Sequence, residues 1–170
     1  MNATLDGSKL TEDNVMPIAR VLPYHSGQAV RIPPLGRTPL LRPDPLHHFG
    51  HTAGSLYTDI SSLAVLLRFV MTDPRLAEMK NVHAAYGKLD SRLFYGLGTF
   101  IIDDPSLSAD RIIGHQGYAY GCVDGAFYEE DTGHMMIQLN GGASEARHGR
   151  LGILNQQALE YAFRKEIPSW

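Results

Sequence analysis

Cysteine is almost missing from this 170-residue chain, with Cys122 the only one. That excludes an internal disulfide and a cysteine-based metal cluster. Long hydrophobic runs are missing too: no stretch approaches the ~18–20 apolar residues a bilayer-spanning helix needs. Charge of one sign is not in excess. The formal net charge is −3 and the pI about 6.2, so nothing favours nucleic acid or an anionic membrane as a partner. The opening MNATLDGSKLTEDN lacks the basic start and apolar stretch of an export signal, and the expectation is a cytoplasmic chain as it stands. No internal repeat or low-complexity tract occurs.

What is present is enough for one folded domain. Apolar residues make up 44% of the chain, which suffices for a sizeable core. Seventeen glycines and ten prolines mark a loop-rich protein. Pro17, Pro23, Pro33, Pro34, Pro39, Pro43 and Pro45 each remove a backbone donor, so residues 1–50 are expected as an extended covering segment without a long helix. Residues 51–170 form the body. Thr58 or Asp59 is placed to cap a helix carrying Ile60, Leu63, Ala64, Leu66, Leu67, Val70 and Met71 at helical spacing, and Pro74 stops it. A weaker helix follows at 75–81. Strand signals lie at 92–102, at 111–128 (one strand or two) and at 133–140, with the charged EEDTG of 129–133 as a hairpin loop. A final helix is expected over about 149–165, with Leu151, Leu154, Ala158, Tyr161 and Ala162 on its buried face. The fold class is therefore α+β: an antiparallel sheet of three to four strands with packed helices.

Four stretches carry the main functional signal. They are TAGSLYT before the first helix, YGLG in the 92–102 strand, Gly114-His115-Gln116-Gly117, and the strand that ends in Asn140-Gly141. In this order they resemble the C-terminal part of the serine β-lactamase and penicillin-binding-protein superfamily, in its branch of class C β-lactamases, DD-peptidases and related esterases. The likeness runs over residues 50–165, and MNAT at the start resembles a further stretch of the family. It implies that His115-Gln116-Gly117 stands where the family has a Lys/His-Thr/Ser-Gly strand along one wall of the active site. The backbone N–H of Tyr118 would then be one of two oxyanion-hole donors. A donor fixed on a rigid strand is already aimed where charge develops in acyl transfer. By the same resemblance His115 supplies a hydrogen-bonding or cationic group near the proton-transfer residues. Gln116 and Gly117 bind substrate, and Gly117 lets it lie close to the strand. Gln116 departs from the pattern, because an amide replaces the hydroxyl that helps bind a substrate carboxylate. That departure bears on selectivity for β-lactams and D-Ala-D-Ala.

The nucleophile is the missing half. The family's serine lies in Ser-x-x-Lys, where one helical turn sets the amine beside the hydroxyl. None of the ten serines has a lysine three residues on, and Tyr-x-Asn and Ser-x-Asn are absent. Tyr24-His25-Ser26 is the nearest echo. The resemblance thus implies the C-terminal portion of a serine hydrolase acting on an amide or ester (a D-Ala peptide, β-lactam or ester), inactive without an upstream catalytic segment. The alternative is a non-catalytic binding module that kept the cleft wall. No cofactor is expected. The expected partners are a small-molecule or peptide substrate and either an N-terminal catalytic segment or a second copy, because a half-domain leaves apolar surface uncovered.

The remaining candidates have plainer explanations. His47, His48 and His51 have spacing compatible with one metal, yet they lack a nearby carboxylate other than Asp44 and read as loop histidines, so no metal site is assigned. Glu129, Glu130 and Asp131 read as a solubilising turn rather than a calcium loop. Among Tyr118, Tyr120, Phe127 and Tyr128, strand alternation makes half simply core. Cys122 lacks a basic neighbour to lower its pKa. Ser144, Glu145 and His148 read as a capped helix start, and His134 as a surface residue.

Overall fold

The computed structural model describes residues 2–11, 56–119, 122–140, 143–144 and 146–164. The segment 12–55, which holds most of the proline-rich stretch and the three clustered histidines, lies outside the described residues. At the start, β1 (Ala3–Thr4) pairs antiparallel with β2 (Tyr57–Thr58), and Asn2 donates its backbone N–H to Ser62 Oγ at 2.6 Å. Helix α1 (Ile60–Thr72) follows. Its cap is Asp59, whose carboxylate accepts the Ser62 N–H at 2.7 Å, satisfying one of the amides a helix start leaves open. Asp73 ends α1, and the expected weaker helix is a 3-10 turn over Pro74–Lys80.

The body is one six-stranded antiparallel sheet in the order β3 (Ala84–Ala85), β4 (Leu93–Tyr95), β5 (Phe100–Ile102), β6 (Ile112–Ala119), β7 (Cys122–Glu129) and β8 (Met135–Gln138). The fold class is α+β as expected, with more strands than the three to four read from sequence. One source of the difference is the 92–102 signal, which divides into β4 and β5. The Gly96 N–H donates to the Thr99 carbonyl at 2.9 Å and Gly98 takes φ +73°, a turn conformation open chiefly to glycine. The 111–128 signal is the long hairpin β6–β7, and the turn after Glu129 sits where EEDTG placed it.

Side chains alternate between two layers. On one face Ile101, Ile113 and Tyr128 pack against Leu67 of α1. On the other, Phe100, Ile102, Ile112, Phe127 and Met136 pack against Leu159 and Phe163 of the last helix, α2 (Ile153–Phe163). That helix is entered through a short ladder of β9 (Arg147–His148) and β10 (Leu151–Gly152). It crosses the sheet as expected, but turned about its axis: Asn155, Gln156, Leu159 and Phe163 are the buried positions, while Tyr161 is 78% exposed. The polar Asn155 takes a core position because its amide is needed there, as the next section describes.

Candidate functional site

Strand β6 is longer than its neighbour β5, and that mismatch creates the site. β5 pairs only with Ile112, Ile113 and Gly114, whereas β7 pairs with all eight residues of β6. From His115 onward the β5-side edge of β6 meets no strand among the described residues. The direction of each backbone group follows from alternation along an antiparallel ladder. Arg111 accepts the Glu130 N–H through its carbonyl, so residues 111, 113, 115 and 117 turn their backbone groups toward β7. Gln116 and Tyr118 therefore turn theirs to the open edge.

His115 sits at that edge. Its Nδ1 donates to the Gln116 carbonyl at 2.7 Å, and its ring packs at a tilt 4.7 Å from Phe100 and edge-on 6.5 Å from Tyr95. A hydrogen on Nδ1 leaves Nε2 as the lone-pair nitrogen of the neutral ring, available to accept a proton. Gly117 is exposed, and the Tyr118 N–H lies one residue further along the same edge.

Gln116 points the other way, toward α2. Its Nε2 donates to the Arg150 carbonyl at 2.8 Å, and its Oε1 accepts from the Gly152 N–H at 3.0 Å and from Asn155 Nδ2 at 3.2 Å. Asn155, with no exposed surface, also donates to the Asp124 carbonyl at 3.0 Å and accepts from Gln138 Nε2 at 2.5 Å. One buried amide thus bolts β6, β7 and β8 to the start of α2. The Gln116 side-chain amide is engaged inside the protein at both ends.

Across from Gly117, in register on β7, lies Asp124 on the α1 face. Its Oδ1 accepts the Asn140 N–H at 2.6 Å, and burial pushes its carboxyl above the ordinary range, against the pull of that hydrogen bond. Sequence reading missed Asp124 and Asn155. The only available signal was that alternation puts Asp124 and Gly117 on matching faces of a hairpin.

The other candidates separate. Phe127 and Tyr128 are core residues on opposite faces, and burial pushes the Tyr128 hydroxyl up to about 12. Glu129 is a correction to the solubilising turn. It is buried and receives hydrogen bonds from the Ser108 and Thr132 hydroxyls, so it anchors the hairpin instead of wetting it. Glu130 pairs with Arg111 at 2.6 Å. Ser144 and His148 precede α2 by several residues and do not cap it; Ser144 Oγ accepts the Ala146 N–H, and His148 is exposed on β9. His134 is exposed, 4.0 Å from the Glu129 carboxylate. The side chains of Tyr118 and Cys122, and all of Tyr24, Ser26, His47, His48 and His51, fall outside the described residues. Among the described residues no group of three or more His, Cys, Asp or Glu side chains is arranged to hold a metal, and no helix is long and apolar enough to cross a membrane.

The fold has a counterpart among solved structures. The chain is similar to a D-stereospecific amidohydrolase from Streptomyces sp., with a TM-score of 0.60 and 21% identity over 97% of this chain and 44% of that one. The fold is β-lactamase-like. At this identity the likeness speaks to architecture alone, and the chain spans less than half of the matched protein's length. No family model matches the sequence, and no curated protein does either.

Proposed function

We propose that β6 is the oxyanion-side wall of an acyl-transfer site, and that the chain is the C-terminal portion of a β-lactamase-related serine hydrolase acting on an amide or ester. The observation that carries this reading is the open edge of β6. It turns the Tyr118 N–H outward beside a glycine, with His115 three residues earlier on the same strand. An N–H held by an eight-residue ladder needs no reorganisation to meet a developing oxyanion, and one such donor is typically worth on the order of 10²–10³ in rate. In this reading His115 is a hydrogen-bond acceptor or proton carrier, and Gly117 lets the substrate backbone approach. Gln116 contributes to substrate binding through its outward backbone groups while its side chain holds the wall in place. The name of the Streptomyces structure, an amidohydrolase, is in keeping with amide chemistry.

The sequence holds no Ser-x-x-Lys, so the nucleophile must come from another segment or chain. The same absence favours the second reading, a binding module that keeps the wall without the chemistry. The deciding experiment labels the 170-residue chain with a fluorescent penicillin and a fluorophosphonate, alone and joined to a segment carrying Ser-x-x-Lys and Tyr-x-Asn. The expectation is no labelling and no ester hydrolysis alone, and both in the joined protein. Stoichiometric labelling of a serine in the lone chain would overturn the assignment of the nucleophile. A correctly folded joined protein that binds substrate but never labels would leave the binding module standing. In the joined protein Tyr118→Phe should be mild, since the backbone N–H remains.

A further inference from the structure

We propose that Asp124 anchors a protonated amine of the substrate, which places the chain's ligands among amides or esters that carry a free amino group. This rests on the reading of β6 as the substrate wall. Gly117 and Asp124 are register partners on β6 and β7, on the α1 face. Because Gly117 has no side chain, the strand leaves a notch beside the carboxylate. A Cβ built on Gly117 would lie 3.2 Å from Asp124 Cβ and 3.4 Å from its Oδ2. Adjacent strands run ~4.8 Å apart, so a group held by Asp124 is only a few bonds from whatever lies along the β6 edge.

The carboxylate is half-built as an ion pair. Oδ1 is satisfied by the Asn140 N–H, while among the described residues no donor reaches Oδ2 and no Lys, Arg or His pairs with it. A partly buried carboxylate without a counter-charge is a standing cost that a structural role does not require. Holding the Asn140 N–H needs only a carbonyl oxygen, which an asparagine side chain would supply equally well. A primary ammonium fits what remains. It is compact, donates in several directions and brings the missing positive charge.

The test follows the backbone amides of isotope-labelled chain by NMR while alaninamide, or its N-acetyl derivative, is added. Alaninamide is expected to shift Gly117 and Tyr118, and both Asp124→Asn and N-acetylation should weaken that binding about tenfold or more, as loss of a hydrogen bond to a charged group does. Asp124→Asn keeps the acceptor for Asn140, so the resonances elsewhere should stay in place. If both compounds bind alike and the variant binds as well as the parent, the amine anchor is wrong while the β6 wall stands. If neither compound moves the β6 amides, the amine anchor and the wall reading both fall.

Discussion

Replacing Asn155 with alanine is the sharpest test of how the wall is held. The substitution removes two donated hydrogen bonds, to Gln116 Oε1 and the Asp124 carbonyl, and one accepted from Gln138. Gln116 Oε1 keeps its bond from Gly152 and half-exposed Gln138 can turn to water, but the Asp124 carbonyl loses its side-chain partner. A net hydrogen bond is worth about 0.5–1.5 kcal/mol, three are lost, and the Asp124 carbonyl keeps its ladder bond from the Gly117 N–H, so no acceptor is orphaned. The sum for Asn155→Ala is therefore about 1.5–4.5 kcal/mol, before any penalty for the cavity. For a chain of this size that lowers Tm by roughly 3–18 °C. Urea unfolding should show a lower midpoint with an unchanged slope, because the surface exposed on unfolding is the same. A double-mutant cycle with Gln116→Ala should return a coupling of about 0.5–3 kcal/mol, since the two side chains share a bond. A cost below about 0.5 kcal/mol, or strict additivity, would refute the claim that this amide network fixes β6.

Three further outcomes are expected. Gly117→Ala should stay within about 1 kcal/mol of the parent, since its nearest contacts are a few tenths of an ångström too close and a strand gains from losing glycine; Gly125→Ala should cost about 1–3 kcal/mol, because its Cβ would sit 2.6 Å from Asn155 Oδ1. Both are read by urea unfolding, and the reverse ranking would contradict the packing described here. Burial raises the Asp124 carboxyl, opposed by the Asn140 N–H, so the folded state holds this proton more tightly than the unfolded chain and ionisation subtracts stability as pH rises from the ordinary value of 3.8 through the raised one; Asp124→Asn should thus gain in Tm relative to the parent on going from acid to neutral pH, and a pH-independent difference would refute this. Val65 and Phe69 of α1 are 58% and 44% exposed, an apolar face expected to drive self-association, and Val65→Asp with Phe69→Asp should shift light scattering toward monomer without lowering Tm.

The sequence carried some of this plainly and hid the rest for definable reasons. Of the two cap candidates, Thr58 and Asp59, it is Asp59 that caps the helix, Pro74 stops it as local chemistry directs, and the 111–128 signal, legible as one strand or two, is the β6–β7 hairpin. The break inside 92–102 was masked by Leu97, an exposed apolar residue at a turn that makes the run look continuous. The buried face of α2 was misjudged because hydropathy follows leucines and tyrosines, while the helix is oriented by Asn155, a polar side chain that belongs in the core only because three strands offer it partners. The exposed apolar positions of α1 obey helical periodicity as well as the buried ones do, so spacing alone could not say which face is covered. Of the candidate site, it was legible that His115 and Gly117 lie on a strand. Asp124 was not, since an aspartate in a strand looks like an ordinary solvent-facing residue until its partner is known.

Three glycines of the hairpin show how packing and function separate on one strand pair. Gly114 and Gly125 are both demanded by neighbours: a Cβ at Gly114 would run into the Ala126 carbonyl and Phe127, and one at Gly125 into the amide of Asn155. These two glycines let the sheet come close to its own side chains. Gly117 is different, because its nearest neighbours lie at 3.2 Å or beyond and belong to one acidic side chain. Glycine weakens a strand interior, so a position that tolerates a side chain yet has none asks for another explanation. The open β5-side edge supplies it. At Gly117 the vacancy is on the surface, between an outward-turned amide and the Asp124 carboxylate, and in the function proposed above the close approach there is that of a ligand.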